Sequence, residues 1–415
     1  MKKFIIVEIC VVIAIAAGFW VGRFTSPFND YAKYYENADK AWSKVREMNN
    51  PPVTYDEPDK NRLRKVRAAY RAVFENYADS RWADDALYQL ALLPRTDEEG
   101  FALYRRLIRD YPDSEWADDS MYAIAITTYR IAEELEKTRT LESLTAYYDR
   151  ALALFNQLIA TYPGSVLQEE AQFTAALCYK GRGDLNLALT QLDNLKFELS
   201  RSPILYKILY ATGDIYFEKQ DYENARIEFT NVVDSGDPDL APLASFGIAQ
   251  TYYKEGKYDE AIAAYQKSID LYSDTHAGQE ANFYIAQPYA KLEKYDEAIE
   301  LLEKAIAAYP NNRNVPDWKI YIAQIAYANK DTARAIEVYQ QFADDPTHNY
   351  DSRLNAQYQV AEIYKEIGDM EQAIDAYEKL LADFSEPHQN TAHDSRNITE
   401  NYVRMLKAEL LDEDK

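Results

Sequence analysis

One motif recurs at a nearly constant interval through the central and C-terminal parts of the chain. It is most legible in the run AQTYYKEGKYDEAIAAY, which extends from Ala249 to Tyr265. The alanine after its turn recurs at intervals of 36 to 38 residues, as Ala188, Ala225, Ala261, Ala298, Ala335 and Ala373. A unit of this length cannot bury its own apolar face and needs a neighbour on each side. The chain is therefore predicted to fold as an all-α solenoid of stacked repeats.

Each unit has the pattern of two antiparallel helices that pack closely. The first helix carries a small residue ahead of the turn, at Ala176, Gly213, Ala249, Ala286, Ala323 and Ala361. Larger residues stand four positions after the alanines of the second helix, at Leu192, Phe229, Tyr265, Leu302, Tyr339 and Tyr377. Small side chains let the two helices approach, and the larger ones fill the space beside them.

Glycine and proline mark the ends of these helices. Glycine stops the first helix at Gly183, Gly256 and Gly368. Proline closes several second helices, at Pro112, Pro163 and Pro310. Together, these residues resemble the tetratricopeptide repeat. The resemblance implies a right-handed α-solenoid of about nine helical pairs.

The repeat becomes irregular toward the N-terminus. The phrase Tyr-x-Asp-Ser-x-Trp-Ala-Asp-Asp-(Ala/Ser)-x-Tyr occurs twice, at residues 77–88 and 111–122. One of these repeats is predicted to have a short first helix that ends at Pro94, and the next to carry an insertion near residues 133–145. The paired acids in the phrase, such as Asp84-Asp85, are interpreted as charges that favour the start of a helix.

The predicted organisation has five parts. They are a membrane anchor at residues 1–26, an irregular first helical pair at 27–76, two divergent repeats at 77–163, six regular repeats at 164–386, and a capping helix with an acidic tail at 387–415. The capping helix is expected near residues 397–411. Only 12 of the 415 residues are glycine and no Gly/Ser/Pro linker divides the chain, which favours a continuous array over separate domains.

The junctions between repeats resemble those of one branch of the tetratricopeptide family. A tyrosine and a proline end one repeat, and the pattern Ser-x-x-Ala-x-x-Ala-x-Tyr opens the next. This junction is similar to that of bacterial envelope tetratricopeptide proteins, such as the lipoprotein scaffold of the outer-membrane barrel-assembly machinery and the Tol–Pal-associated coordinator of cell division. Over roughly residues 60–385, the resemblance implies a scaffold of the cell envelope.

The N-terminus predicts a membrane anchor. After Met1-Lys2-Lys3, the apolar run at residues 4–22 begins with Phe4, continues past Trp20 and carries a single charge, at Glu8. Such a run is long enough to cross a bilayer as one helix, and the two lysines favour a cytoplasmic N-terminus. Together with the envelope resemblance, this predicts a single-pass protein of the bacterial inner membrane with its solenoid in the periplasm.

Three interpretations of the N-terminal segment compete. A cleaved secretory signal would use Ala14-Ile15-Ala16, but the apolar run continues beyond that site. A lipoprotein signal would use Cys10, which lies in the middle of the run. An uncleaved anchor is favoured. Within it, Glu8 either reaches the headgroup region near Lys3 or pairs with a partner in the membrane.

Charge and composition argue against several functions. The net charge is −23, and residues 1–26 contribute three basic and one acidic side chains, so the remainder is more acidic still. The electrostatic field of such an acidic chain repels nucleic acid and anionic lipid, and no basic stripe interleaved with aromatic residues stands out. Cys178 is predicted to be a packed thiol, and His388 with His393 is a weak candidate for a metal site. We expect no enzyme activity, no cofactor and no nucleic-acid partner.

A second periodic set of positions predicts a binding surface. In most first helices, an aromatic residue stands three positions before the small residue, and at this position one repeat has Ile320 instead. Polar or aromatic residues stand one and four positions after the small residue. The candidate surface consists of Tyr210, Asp214, Phe217, Phe246, Gln250, Tyr253, Phe283, Gln287, Gln324, Tyr327, Tyr358 and Glu362. In the family that the chain resembles, these positions face the concave groove, and rings with hydrogen-bonding edges suit a peptide.

The alternative is that these rings pack between adjacent first helices. The amides at Gln250, Gln287 and Gln324 are harder to explain by packing, because buried amides need partners. Pro288 lies within a first helix and is expected to kink it.

These features predict a membrane-anchored, extracytoplasmic scaffold or adaptor that binds protein partners along its concave face, in envelope assembly or the organisation of protein complexes. The partner would be a peptide segment or a membrane complex. The alternative is a stoichiometric accessory subunit of an inner-membrane enzyme complex, held through a broad interface. The oligomeric state stays open.

Overall fold

A computed structural model describes residues 27–50, 52, 59–93, 96–137, 141–383 and 404–405 of the chain. Regular structure in these residues is α-helical. The first eight helices are α1 (Pro27–Met48), α2 (Lys60–Asn76), α3 (Ala83–Leu92), α4 (Asp97–Asp110), α5 (Ala117–Lys137), α6 (Leu141–Thr161), α7 (Gln168–Gly181) and α8 (Leu185–Glu198). The remaining helices are α9 (Leu205–Glu218), α10 (Tyr222–Ser235), α11 (Leu240–Lys254), α12 (Tyr258–Tyr272), α13 (His276–Tyr284), α14 (Ala286–Lys291), α15 (Tyr295–Ala308), α16 (Val315–Ala328), α17 (Thr332–Asp344), α18 (Tyr350–Glu366) and α19 (Met370–Asp383).

In chain order, the helices of the described residues form nine pairs, since α13 and α14 are two parts of one first helix. The chain divides into two compact units, residues 1–188 and residues 189–415, with the division inside α8. Within each unit, successive helices pack against one another, from α1 to α7 and from α9 to α19. The all-α fold and the number of helical pairs are therefore confirmed for the described residues, and the five-part division stays a prediction.

The predicted close contacts between paired helices are present. Every small residue predicted at a helix contact is buried, and so is every larger residue predicted to fill the space beside it. Ala261 and Tyr265, for example, have no exposed surface. Fully burying such an aromatic or leucine side chain stabilises the fold by about 1.5–3 kcal/mol.

The turn between first and second helices has the same backbone conformation in six repeats. One residue in each turn has a φ between 60° and 83°: Gly183, Gln220, Gly256, Glu293, Lys330 and Gly368. Glycine adopts this left-handed conformation readily, whereas other residues adopt it at a cost of about 1–2 kcal/mol. The geometry of the repeat therefore imposes this turn conformation. The three glycines expected from the sequence occupy half of the six turns, and other residues adopt the same conformation in the other half.

The phrase repeated in the first unit makes a bond between repeats. Trp82 Nε1 donates to Asp39 Oδ1 at 2.5 Å, and Trp116 Nε1 donates to Asp85 Oδ1 at 3.0 Å. The Trp116 ring also stacks on Tyr88 with ring centres 4.5 Å apart. Asp85 lies in the first turn of α3, as expected for a charge that favours a helix start. Its carboxylate is also an acceptor for the next repeat, and burial raises its pKa.

The irregular helices follow the predicted irregularities of the sequence. Helix α3 ends at Leu92, two residues before Pro94. Helices α5 and α6 contain 21 residues each, against 14 in α9 and α10. The insertion predicted near residues 133–145 therefore lengthens both helices of its pair.

Pro288 breaks the first helix that contains it. Helix α13 ends at Tyr284 and α14 begins at Ala286. A proline has no N–H to donate to the carbonyl four residues earlier, which belongs to Tyr284, and its ring displaces that carbonyl. The helix is thus interrupted at Ile285, and the kink expected from the sequence stays a prediction.

Phe229 of α10 lies between two glycines of neighbouring first helices. A Cβ built on Gly213 of α9 would lie 2.8 Å from Cδ1 of the Phe229 ring, and one built on Gly247 of α11 would lie 2.9 Å from Cε2. The ring is 3% exposed. Glycine at both positions lets the ring lie directly against the backbones of α9 and α11.

Several predictions concern residues outside the described part of the chain. They are the anchor with Phe4, Glu8 and Trp20, the pair His388 and His393, and the capping helix at residues 397–411 apart from residues 404 and 405, which are helical. Among the helices of the described residues, none combines the length and the apolar character needed to cross a bilayer.

Candidate functional site

The twelve residues predicted to form a binding surface all lie on first helices of the second unit, and we call them the first-helix face. Their helices are α9 (Tyr210, Asp214, Phe217), α11 (Phe246, Gln250, Tyr253), α13 and α14 (Phe283, Gln287), α16 (Gln324, Tyr327) and α18 (Tyr358, Glu362). Gln324, Tyr327 and Tyr358 are exposed, and the other nine are half-buried. The surface is therefore partly accessible along its whole length.

A continuous row of aromatic rings crosses α11, α13 and α16. Tyr284 lies edge-on to Phe246, with ring centres 5.1 Å apart. Phe283 contacts Tyr284 at 5.0 Å and Tyr321 at 5.5 Å, and it stacks on Trp318 with the ring planes 8° apart. Such aromatic pairs contribute about 0.5–1.5 kcal/mol each beyond the area that they bury. We call Phe246, Tyr284, Phe283 and Tyr321 the ring row.

Sequence reasoning missed two members of the ring row. Tyr284 and Tyr321 each stand one position after the periodic site that was predicted to carry the ring. Tyr321 directly follows Ile320, where the aromatic pattern lapses, and it supplies the ring that contacts Phe283. The signal for both was an aromatic residue next to the periodic position.

The predicted rings also pack on second helices of their own repeats. Ring centres are 5.5 Å apart for Tyr210 and Phe229, 5.8 Å for Phe246 and Tyr265, and 6.1 Å for Tyr358 and Tyr377. One edge of each ring therefore lies in the contact between helices, while part of the side chain stays accessible. Packing between helices is therefore observed for these rings, and their role in a binding surface stays a prediction.

The amides of the first-helix face have no partner within the described residues. Gln250 and Gln287 are half-buried and Gln324 is exposed, and none of the three side chains makes a hydrogen bond to a described residue. A primary amide offers two donor hydrogens and an acceptor oxygen. Their spacing of 37 residues places one such group on each of three successive first helices.

Tyrosine hydroxyls add hydrogen-bonding groups around the ring row. Burial raises the pKa of Tyr321 to about 12, and the nearby Tyr253 hydroxyl on α11 adds to the increase. Burial also raises the pKa of Tyr284, and the carboxylates of Glu280 and Asp317 add to it. These hydroxyls are therefore uncharged at neutral pH and can donate hydrogen bonds.

The C-terminal end of the first-helix face is internally paired. Glu362 accepts hydrogen bonds from Lys365 Nζ at 2.7 Å and from the Tyr377 hydroxyl. Burial opposes ionisation of Glu362, but the bonds from Lys365 and Tyr377 prevail and lower its pKa. The Tyr327 hydroxyl donates to Glu366. The polar side chains at this end of the face thus bond to one another, whereas the amides of Gln250, Gln287 and Gln324 make no hydrogen bond to a described residue.

Cys178 is the described residue among the side chains that were candidates for metal or thiol chemistry. Cys178 has no exposed surface, and burial raises the pKa of its thiol to about 12, as expected of a packed thiol. The described residues contain no cluster of three or more His, Cys, Asp or Glu side chains that could hold a metal ion.

Family models match the region that carries most of this face. Three tetratricopeptide repeat models match residues 239–311, 283–350 and 355–386. The chain therefore contains tetratricopeptide repeats at residues 239–350 and 355–386. The matched residues include the first-helix face from Phe246 to Glu362. Tetratricopeptide repeats are typically non-catalytic scaffolds for protein interactions.

Solved structures similar to this chain are distant from it in sequence. The C-terminal part of a tetratricopeptide repeat protein from Cytophaga hutchinsonii is 20% identical, with a TM-score of 0.45, over 61% of this chain and 94% of that one. A signal transduction ATPase with a tetratricopeptide repeat sensor from Pyrococcus horikoshii is 15% identical, with a TM-score of 0.48, over 89% of this chain and 55% of that one. At these identities and TM-scores, neither similarity assigns a function. No curated protein matches the chain.

Proposed function

We propose that this tetratricopeptide protein is a scaffold that binds extended segments of partner proteins along the first-helix face. The observation that carries the proposal is the set of amides at Gln250, Gln287 and Gln324, which make no hydrogen bond to a described residue and lie on the same three first helices as the ring row. An amide can both donate to a backbone carbonyl and accept from a backbone N–H, while rings contact the side chains of a bound segment.

The spacing of the helices suits an extended segment. Packed helices lie about 8–10 Å apart. An extended chain rises about 3.3 Å per residue, so it presents an equivalent backbone group to successive first helices about every third residue. The side chains at the centre of the face, from Phe246 to Gln287, are uncharged. Recognition there would depend on backbone hydrogen bonds and ring contacts more than on the charge of the partner.

A photocrosslinking amino acid placed at Gln287 or Gln324 should capture the partner in intact cells. The matched control is Lys267, an exposed residue of the second helix α12 that makes no ion pair with a described residue. We expect adducts from both glutamine positions and none from Lys267, measured by mass spectrometry of the crosslinked products. Adducts that form only from Lys267 would contradict the proposal. Adducts from all three positions would point instead to a broad interface, as in an accessory subunit of an enzyme complex.

We propose in addition that residues 4–22 anchor the protein in the bacterial inner membrane with the repeats in the periplasm. The support is the apolar run with Glu8 as its single charge, preceded by two lysines, together with the resemblance of the repeat junctions to envelope proteins. N-terminal sequencing of the mature protein from the membrane fraction should find residue 1 or 2 retained. A mature protein that begins at Ala17 would show a cleaved signal and refute the anchor.

A further inference from the structure

The first unit carries a concentration of positive charge that contrasts with the acidity of the chain. Helix α2 contains one acidic residue, Glu75, and six basic ones: Lys60, Arg62, Arg64, Lys65, Arg67 and Arg71. The neighbouring second helix α4 is joined to it by Arg106, whose guanidinium lies 4.7 Å from the centre of the Phe74 ring. A helix as basic as α2 is unexpected in a protein with a net charge of −23.

A groove of about 280 Å³ lies between α4, α5 and α6. Its polar lining is Arg105, Arg109, Arg150 and Gln157, and its apolar lining is Ile108, Met121, Ile124 and Leu154. Met121 and Ile124 are each 3% exposed, so they form a floor that belongs to the core of the unit. The groove thus has an apolar floor and a rim of arginines, and we call it the arginine groove.

Two arginines of the rim have no carboxylate partner within the described residues, although the Arg105 guanidinium lies 5.7 Å from the centre of the Phe101 ring. Arg109 is paired with Asp110, with 2.7 Å between Nε and Oδ1. Arg105 and Arg150 are exposed and form no ion pair with a described residue. A guanidinium in this state can receive a carboxylate through two parallel hydrogen bonds, a geometry that a lysine cannot reproduce.

We infer that the arginine groove binds an acidic segment of a partner protein in which an apolar side chain lies between carboxylates. The carboxylates pair with Arg105 and Arg150, and the apolar side chain lies on Met121 and Ile124. The positive charge of α2, which belongs to the same unit, adds to the attraction of an acidic partner. The groove lies on helices that contribute nothing to the first-helix face, so it is a second docking surface and is independent of the function proposed above.

The shape and the surroundings of the groove favour a protein segment over other polyanions. A bilayer surface is too flat to reach a floor that lies between three helices, whereas a single side chain can enter. Nucleic acid would bring a phosphate backbone, which attracts arginine but offers no aliphatic group for the floor. The net charge of −23 would also repel a long polyanion beyond the basic surface.

Fluorescence anisotropy with the full chain tests this inference. The probe is a labelled peptide in which glutamate alternates with leucine, and the control peptide has glutamine in place of glutamate. The double variant Arg105→Glu/Arg150→Glu should bind the glutamate peptide at least roughly tenfold more weakly, a change of about 1.4 kcal/mol. Arg105→Gln/Arg150→Gln, which introduces no new charge, should lose most of the same affinity.

The matched control is Arg130→Glu, because Arg130 is exposed on α5 but does not line the groove. It should leave the affinity for the glutamate peptide close to that of the parent protein, and circular dichroism should show that all variants stay helical. The inference would be overturned if the glutamine peptide bound as tightly as the glutamate peptide. It would also be overturned if Arg130→Glu lost as much affinity as the double variants. Tighter binding of phosphatidylglycerol vesicles or of a single-stranded oligonucleotide would overturn it as well, if the same two arginines were required for that binding.

Discussion

The Trp318→Ala variant is expected to lose about 3–5 kcal/mol of unfolding free energy, the range found when large buried aromatic side chains are truncated. Trp318 has no exposed surface and lies in a cluster of buried residues drawn from α14 to α19. It also stacks on Phe283 of the ring row. Its Nε1 has no hydrogen-bond partner within the described residues, so the loss comes from packing alone. Denaturant unfolding followed by circular dichroism measures the change.

Two comparison variants make this prediction specific. Trp318→Phe keeps a ring against Phe283 and loses no hydrogen bond, so it should cost clearly less than the alanine variant. Leu271→Ala removes a large apolar side chain that is 56% exposed, and it should change stability by no more than about 0.5 kcal/mol. In a repeat array the loss should be concentrated near α16, which hydrogen exchange can detect. An unfolding midpoint of Trp318→Ala equal to that of Leu271→Ala would refute the role of Trp318.

The second large effect is expected from Gly278→Ala at the start of α13. A Cβ at this position would lie 1.9 Å from the carbonyl oxygen of Tyr272, which is backbone and cannot rotate away. That oxygen is held in place, since the Thr275 hydroxyl donates to it at 2.8 Å. The added methyl must therefore push α13 away from the end of α12, at a cost of about 1–3 kcal/mol or more. Thermal unfolding measures the loss.

Gly164→Ala is the matched control for this substitution. No atom lies within 4 Å of a Cβ built on Gly164, and its backbone is not left-handed. An alanine there should leave stability unchanged or raise it by about 0.4–1 kcal/mol, because it restricts the unfolded chain. If the two alanine variants unfold at the same temperature, the close approach of α12 to Gly278 is not a constraint on the fold.

The helical pairs could be predicted because the sequence repeats the same packing problem many times. A small residue such as Ala261 and a large one such as Tyr265 recur at the same spacing, so each repeat supports the interpretation of the others. Turn conformation was only half predictable, since Gln220, Glu293 and Lys330 adopt the left-handed conformation without the glycine that signals it. In these turns, tertiary packing overrides the local preference of the residue.

The candidate surfaces were less predictable because they depend on contacts between distant residues. Tyr321 completes the ring row from a position beside the periodic one, and only the contact with Phe283 reveals it. The bond from Trp116 to Asp85 joins residues 31 positions apart, so the sequence shows only an acid at a helix start. The arginine groove combines Arg105 with Arg150, which no local motif connects.

The arrangement of Phe229 between Gly213 and Gly247 has an evolutionary consequence. Because each glycine lies against one part of the same ring, an alanine at either position requires a smaller side chain at 229, and a smaller side chain there opens a cavity unless one of the glycines enlarges. Selection therefore acts on the three positions jointly. Among descendants of this chain, they should change together or stay fixed together, although they belong to three different helices.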